Sequence, residues 1–384
     1  MYLIKNAKIL TMADKDYDCG DILIEDGKII KIGENLKAEC EHFDAKGMWV
    51  LPGFIDPHCH VGMWEDKIGE EGADGNETTK PITPELRALD AINPEDPAFY
   101  EALCHGITSV CTGPGSANVI GGQFVAMKTW GRRVDEMIIK EPLAVKAALG
   151  ENPKRVYSSQ DSSPSTRMAT AAEFRKALIE AQEYKSKMDM ADVDEDNKEP
   201  ERDLGKEILV DVLEGKTYLK VHCHRADDIC TAIRLCKEFN IKYTLEHCTD
   251  GYRIVDILKE EGCQAVLGPL LSTRSKIELK DLSYEAPKVL SENGVKFAMM
   301  TDHPVIPLYA LPICAAVSVR EGLDEMEALK SISIYAAQIV GIDDRVGSLE
   351  AGKDADIAIY NGNPLDFRTK AVKVFVDGNA VYTM

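Results

Sequence analysis

The stretch LPGFIDPHCH, residues 51–60, closes an apolar run with two histidines one residue apart, His58 and His60. A second pair, His222 and His224, closes TYLKVHCH; His247 closes KYTLEHC; Asp302 closes KFAMMTD and is followed by His303. Side chains two apart on a strand share a face, so each pair can aim both imidazoles at one point. Imidazole suits a borderline divalent ion such as Zn2+, and a carboxylate supplies further charge. A single HxH pair says little, but its return with His247 and Asp302 at the ends of separate apolar runs specifies a metal site. His105 in ALCHGIT reads instead as a cap at a helix end, and His42 as a turn residue.

Other residues fit around this set. AVKAALGEN holds Lys146 inside an apolar run and Glu151 just past it. A lysine within a buried strand is costly unless modified or paired. An i to i+5 pair changes face on a regular strand, so spacing does not choose between Lys146 and Glu151 as a metal ligand. His224 shares a face with His222 and is a candidate for contact with substrate or water. Arg225 and Arg167 are candidate clamps for a substrate carboxylate by their fork geometry, with ordinary surface salt bridges as the alternative. The glycines of TGPGSANVIGGQ lack the GK[ST] ending of a phosphate loop and link two apolar runs with no helix start. Cys59, between the two histidines, should point away from them into a packing layer.

The elements that must position these residues alternate. GFIDPHCH, GITSVCTG, QFVAMKTWG, LAVKAALG, TYLKVHCH, KYTLEHC, QAVLGP and KFAMMTD read as buried parallel strands. DDICTAIRLCKEF, YRIVDILKEEG and EMEALKSISIYAAQIVG carry helical periodicity between or after them. The pattern predicts an α/β fold, a (β/α)8 TIM barrel over residues 52–345, whose strand ends gather at one face. An insertion at about 152–216 carries a helix from Met168 to Met188 and the acidic run DMADVDEDNKEPERD, expected as a solvated linker. Short alternating segments at both ends predict a small β-sandwich domain from residues 1–51 plus 346–384.

The chain has 384 residues and a formal net charge of -20, which excludes phosphate-rich partners such as nucleic acid and an anionic membrane. Its eleven cysteines form no CxxC pair. The N-terminus lacks the layout of a signal peptide, and no apolar run is long enough to span a bilayer. The expectation is a cytoplasmic enzyme with reduced thiols, acting on a small molecule as a homo-oligomer.

Taken together, the chain resembles the amidohydrolase superfamily of metal-dependent hydrolases, in its imidazolonepropionase-like and Xaa-Pro dipeptidase-like branch. PGFIDPHCH looks like that family's first barrel strand, VHCH its fifth, LEHC its sixth and MTDHP its eighth, and GSLEAGKDADIAIYNGNPL resembles the return into the small β-domain. The resemblance covers essentially the whole chain. It implies one or two divalent ions, Zn2+ expected and Fe2+ or Mn2+ as alternatives, and hydrolysis of a C–N bond in an amide, cyclic amide or dipeptide-like substrate. It implies that His58, His60 and Asp302 hold the more buried ion, that Asp302 is also the general base for a metal-activated water, and that His222 and His247 serve a second ion. Carboxylated Lys146 or Glu151 would bridge them. A deaminase of an amidine-type C–N bond, with His224 near the leaving amine, and a non-catalytic scaffold are the alternatives.

Overall fold

The computed structural model of the chain describes residues 1–66, 68–193 and 199–384. Its strands are, in order, β1 (Tyr2–Ile9), β2 (Tyr17–Glu25), β3 (Lys28–Gly33), β4 (Glu41–Asp44), β5 (Trp49–Pro52), β6 (Phe54–Cys59), β7 (Ile107–Thr112), β8 (Ile120–Lys128), β9 (Ile138–Ala148), β10 (Leu219–Cys223), β11 (Tyr243–His247), β12 (Ala265–Leu267), β13 (Phe297–Met299), β14 (Ile357–Tyr360), β15 (Ala371–Val376) and β16 (Asn379–Thr383).

The terminal strands form one mixed sheet in the order β16-β15-β14-β5-β1-β2-β3, with β4 parallel to β1. Alternation puts Ile4, Ile9, Ile22, Ile24, Val50, Ile357, Ile359 and Phe375 into a core of their own. The two ends of the chain meet where β14 pairs antiparallel with β5. Two details sharpen the sequence reading. KAVKVFVDGNAVY is a hairpin, β15–β16, turning at Asp377 and Gly378, both at positive φ (46° and 73°) as a tight two-residue turn requires. EHFD, which carries no apolar alternation, is a strand because it lies beside β1.

The middle of the chain forms a nearly closed eight-stranded, TIM-barrel-like sheet in the order β6 through β13. The seam between β6 and β13 is pinned by backbone bonds from His60 N–H to His303 O, 2.9 Å, and from Asp302 N–H to His58 O, 3.3 Å. One strand corrects the expectation of parallel strands throughout: β8 runs antiparallel to both β7 and β9. The reason lies in the connection. A parallel return needs a dozen or more residues, usually a helix, and only the glycine-rich segment 113–119 joins β7 to β8. Reversed in this way, β8 ends at Lys128 on the face nearest the small domain.

Among the described residues the insertion holds three helices rather than one: Glu151–Ser158, Arg167–Val193 and Leu204–Leu213. Residues 194–198 of the acidic run lie outside the described residues. Among the described residues, no helix is long and apolar enough to cross a membrane. Cys59 packs into the layer between strands and helices, as expected.

Candidate metal centre

His58 and His60 leave the end of β6 on one face, with ring planes 86° apart and centroids 5.4 Å apart. Asp56, two residues earlier, clamps this strand end. Its Oδ1 accepts the His58 N–H at 3.0 Å, and its Oδ2 accepts the N–H and hydroxyl of Thr301 at 3.0 and 2.5 Å. Burial raises its carboxyl to about 7, against those hydrogen bonds. His222 and His224 leave the end of β10 in the same manner. Their rings stand 4.3 and 4.4 Å from that of His247. His247 reaches the cluster because the backbone turns left-handed there, at φ 68°, and again at Cys248. Asp302 likewise has φ 56° and brings its carboxylate back over His58 and His60.

The hydrogen bonds decide which ring nitrogens are free. His60 Nδ1 lies 2.6 Å from Gly113 O, and His247 Nδ1 lies 2.9 Å from Gly268 O. A carbonyl only accepts, so Nδ1 carries a proton in both rings, and in the neutral His247 ring Nε2 presents a lone pair. Gly268 makes this carbonyl available at φ 135°, where a side chain would meet Met300 O at 2.7 Å. His58 Nδ1 faces the Glu246 carboxylate, which fixes the same tautomer. Burial pushes His58, His222, His224 and His247 below the ordinary imidazole range, so they are neutral. The outcome is a convergence of side chains. His60 Nε2 stands 3.1 Å from Asp302 Oδ1, and His58 Nε2 stands 3.7 Å from the same oxygen and 2.9 Å from Lys146 Nζ.

The possible ligand atoms of His58, His247 and Asp302 lie within 4.8 Å of one another, as do those of His222, His224 and His247. This nitrogen-and-oxygen donor set fits a divalent metal cofactor.

Lys146 and Glu151 diverge. Lys146 Nζ is buried in the barrel, 2.9 Å from His58 Nε2. Burial lowers its amine to about 8, against the pull of Asp302 and Glu246. Glu151 opens a helix, and its backbone N–H donates to Glu278 Oε2 at 3.1 Å. Arg167 forms a bidentate pair with Asp228 at 2.8 and 2.9 Å, and Arg225 one with Asp227 at 2.9 Å. Both forks are thus occupied by carboxylates of this chain. His224 Nδ1 meets Thr249 Oγ1 at 2.8 Å.

Three charged residues of the site escaped the sequence reading. Lys220 is fully buried, 3.0 Å from Glu246 Oε2 and 3.1 Å from Pro57 O. Its signal was available: it shares a face with His222, and the cost of a buried lysine that singled out Lys146 applies equally. Glu246 precedes His247, and strict alternation would point the two apart. Only the left-handed turn lets both face inward. Glu278 lies in the loop after β12, where no periodicity marks it, and is 2% exposed.

The sequence model of the amidohydrolase family matches residues 49–384. The chain is 29% identical to the amidohydrolase tasK of Hapsidospora irregularis over 94% of its own length, and spans 40% of that relative. It is 25% identical to a dihydroorotase of Elusimicrobium minutum, covering 94% of this chain and 88% of the other. Among solved structures, an amidohydrolase from Thermotoga maritima MSB8 superposes over the whole of both chains with a TM-score of 0.97 at 42% identity.

Proposed function

The chain belongs to the amidohydrolase family, and on that premise we propose that it hydrolyses a C–N bond of a small amide, cyclic amide or dipeptide-like substrate, with Asp302 as general base. The observation that carries this reading is the gathering of ligand atoms from His58, His247 and Asp302 within 4.8 Å of one another. His58, His60 and Asp302 would hold one divalent ion, with His247 between them and His222, and the ion would lend Lewis acidity to the scissile carbonyl and the attacking water.

The chain's own residues do the rest. Gly113 O and Glu246 hold His60 and His58 in the tautomer whose Nε2 faces the site. Asp302, brought over them by its left-handed backbone, takes a proton from the attacking water as the C–O bond forms. It returns that proton to the nitrogen as the C–N bond breaks. Between Lys146 and Glu151 we assign the ligand role to Lys146, on the ion at His58. An amine lowered to about 8 has a neutral fraction that can add CO2 through nitrogen, releasing a proton and leaving a carbamate beside His58. Arg225 and Arg167 would act as substrate clamps only by leaving Asp227 and Asp228. Zn2+ as resident ion and a cytoplasmic homo-oligomer complete the proposal.

The test is a screen of dipeptides, N-acyl amino acids and cyclic imides or amides against metal-loaded enzyme, with chelation and metal return as controls. Chelator-sensitive cleavage is expected. Ammonia released from an amidine substrate would favour the deaminase reading. A protein that takes up no metal and turns over nothing would favour a scaffold.

A further inference from the structure

We propose that Glu278 is a metal ligand, closing with His222, His224 and His247 a second ion site supplied entirely by protein side chains. This rests on the reading of the chain as a metal-dependent hydrolase. It moves His224 from substrate contact to ligand, and it brings in a residue from the loop after β12.

The two oxygens of Glu278 have different surroundings. Oε2 accepts the Glu151 N–H at 3.1 Å. Oε1 is buried with no hydrogen-bond partner, and stands 3.7 Å from His222 Nε2 and 3.6 Å from His224 Nε2. His222 Nδ1 is also buried without a partner, so its ring can carry the proton there and turn Nε2 as a lone pair towards the carboxylate. His247 is fixed in that same tautomer by Gly268 O. Two ligands at about 2.0–2.1 Å from one tetrahedral ion stand roughly 3.4 Å apart. The Glu278 oxygen and the two histidine nitrogens are therefore spaced as co-ligands, slightly relaxed, and the one weak donor beside them is the Asn152 amide, 3.4 Å from His222 Nε2, which an ion there would displace. The one cation within ion-pair range of Oε1 among the described residues, Lys276, reaches it at 3.5 Å and is partly exposed. Gly150 makes the approach of Glu278 feasible: at φ 81°, a side chain there would stand 3.0 Å from Glu278 Oε2.

The two ion positions then differ in kind. The one at His58, His60 and Asp302 leaves room for water and substrate. The one at His222, His224, His247 and Glu278 has four protein ligands, the closed arrangement of structural sites. An ion there ties the loop 268–285 to β10 and β11 and, through Oε2, to the first turn of the helix Glu151–Ser158.

The experiment loads the full chain with Co2+ and reads ion stoichiometry, the visible ligand-field spectrum and protection of loop 268–285 from limited proteolysis. Wild type should bind two ions, one with the intense absorption of a four-coordinate site. Glu278→Gln, which keeps an oxygen for the Glu151 N–H, should lose that absorption, lose the loop protection and bind the second ion at least about tenfold more weakly, since even groups one step removed from a metal are worth that much. Lys276→Met should leave all three unchanged. Should Glu278→Gln not fold by circular dichroism, X-ray absorption on the wild type decides: three imidazoles and one carboxylate oxygen at the second ion are expected, and their absence overturns the proposal. Wild-type affinity and spectrum in Glu278→Gln also overturn it, leaving Glu278 as the partner of Lys276. A wild type that takes up a single ion, unaffected by Glu278→Gln, sinks this inference alone; one that takes up none sinks the hydrolase reading as well.

Discussion

Two buried lysines of this molecule live opposite lives. Lys128, at the end of β8, is 2% exposed and sits among three carboxylates: Asp356 at 2.7 Å, Asp354 at 2.9 Å and Asp377 at 3.2 Å. Asp354 is further met by Lys28 at 2.6 Å and Arg345 at 2.7 Å. Burial works against the charge of Lys128, but Asp356, Asp377 and Asp354 outweigh it and raise its pKa. This knot between barrel and small domain answers its charges internally. At the opposite face Lys146 points at a neutral imidazole and is lowered to about 8. Around it, the ligand atoms of His58, His247 and Asp302 are held within 4.8 Å of one another. The first cluster is complete and therefore structural, whereas the second is complete only with something the chain does not itself contain.

The sharpest way to break this comparison is Asp302→Asn. It should lower turnover on the order of 10^3-fold while leaving the melting temperature almost unchanged, because among the described residues its carboxylate is in direct ion-pair contact with no lysine or arginine. Full activity in this variant would end the general-base assignment. Next come the two lysines, each replaced by methionine. Lys128→Met leaves the buried carboxylate of Asp356 without its cation and should destabilise by about 3–5 kcal/mol with turnover of the folded fraction intact. Lys146→Met should be neutral or stabilising, since a poorly compensated buried amine is replaced by an apolar chain, yet metal affinity and activity should fall. Denaturant melts and metal titration of the pair check this; equal loss of stability in both would erase the distinction.

The smallest effect is that of acid on the metal-free protein. Four histidines, His58, His222, His224 and His247, have folded pKa values below the unfolded value. As pH falls below roughly 6.5, the unfolded chain takes up protons the native site refuses, so stability drops. Asp56, raised to about 7, opposes them: its contribution is present in acid and lost as pH rises towards 7. The net expectation is a melting temperature that falls from pH 7 to 5, and less steeply with metal bound. A flat profile in the metal-free protein would mean that these histidines are not neutral in the fold.

Sequence exposed what periodicity can carry. His58 with His60 and His222 with His224 were legible because strands alternate, and the barrel because apolar runs and helical patterns take turns. The reversal of β8 was half legible, in a connection too short for a crossover, but an apolar run has no direction of its own. Glu246 and His247 act side by side only because of a left-handed residue, and Glu278 arrives from a loop. Such positions are set by backbone turns and tertiary approach, which leave no period in the chain.

The reversed strand has a mechanical consequence. Phe124 lies under the ring of His58, 5.2 Å away between centroids, and also beneath the amines of Lys146 and Lys220. Lys128, four residues on and on the same side of the strand, is locked to the small domain. At about 3.3 Å per residue, β8 is a rod of roughly 13 Å joining the floor of one chamber to the hinge-pin of the other. Register along a strand is all or nothing, since a slip of one residue would turn both side chains to the wrong side. The small domain therefore acts as a gauge block, setting the depth at which the histidine floor stands.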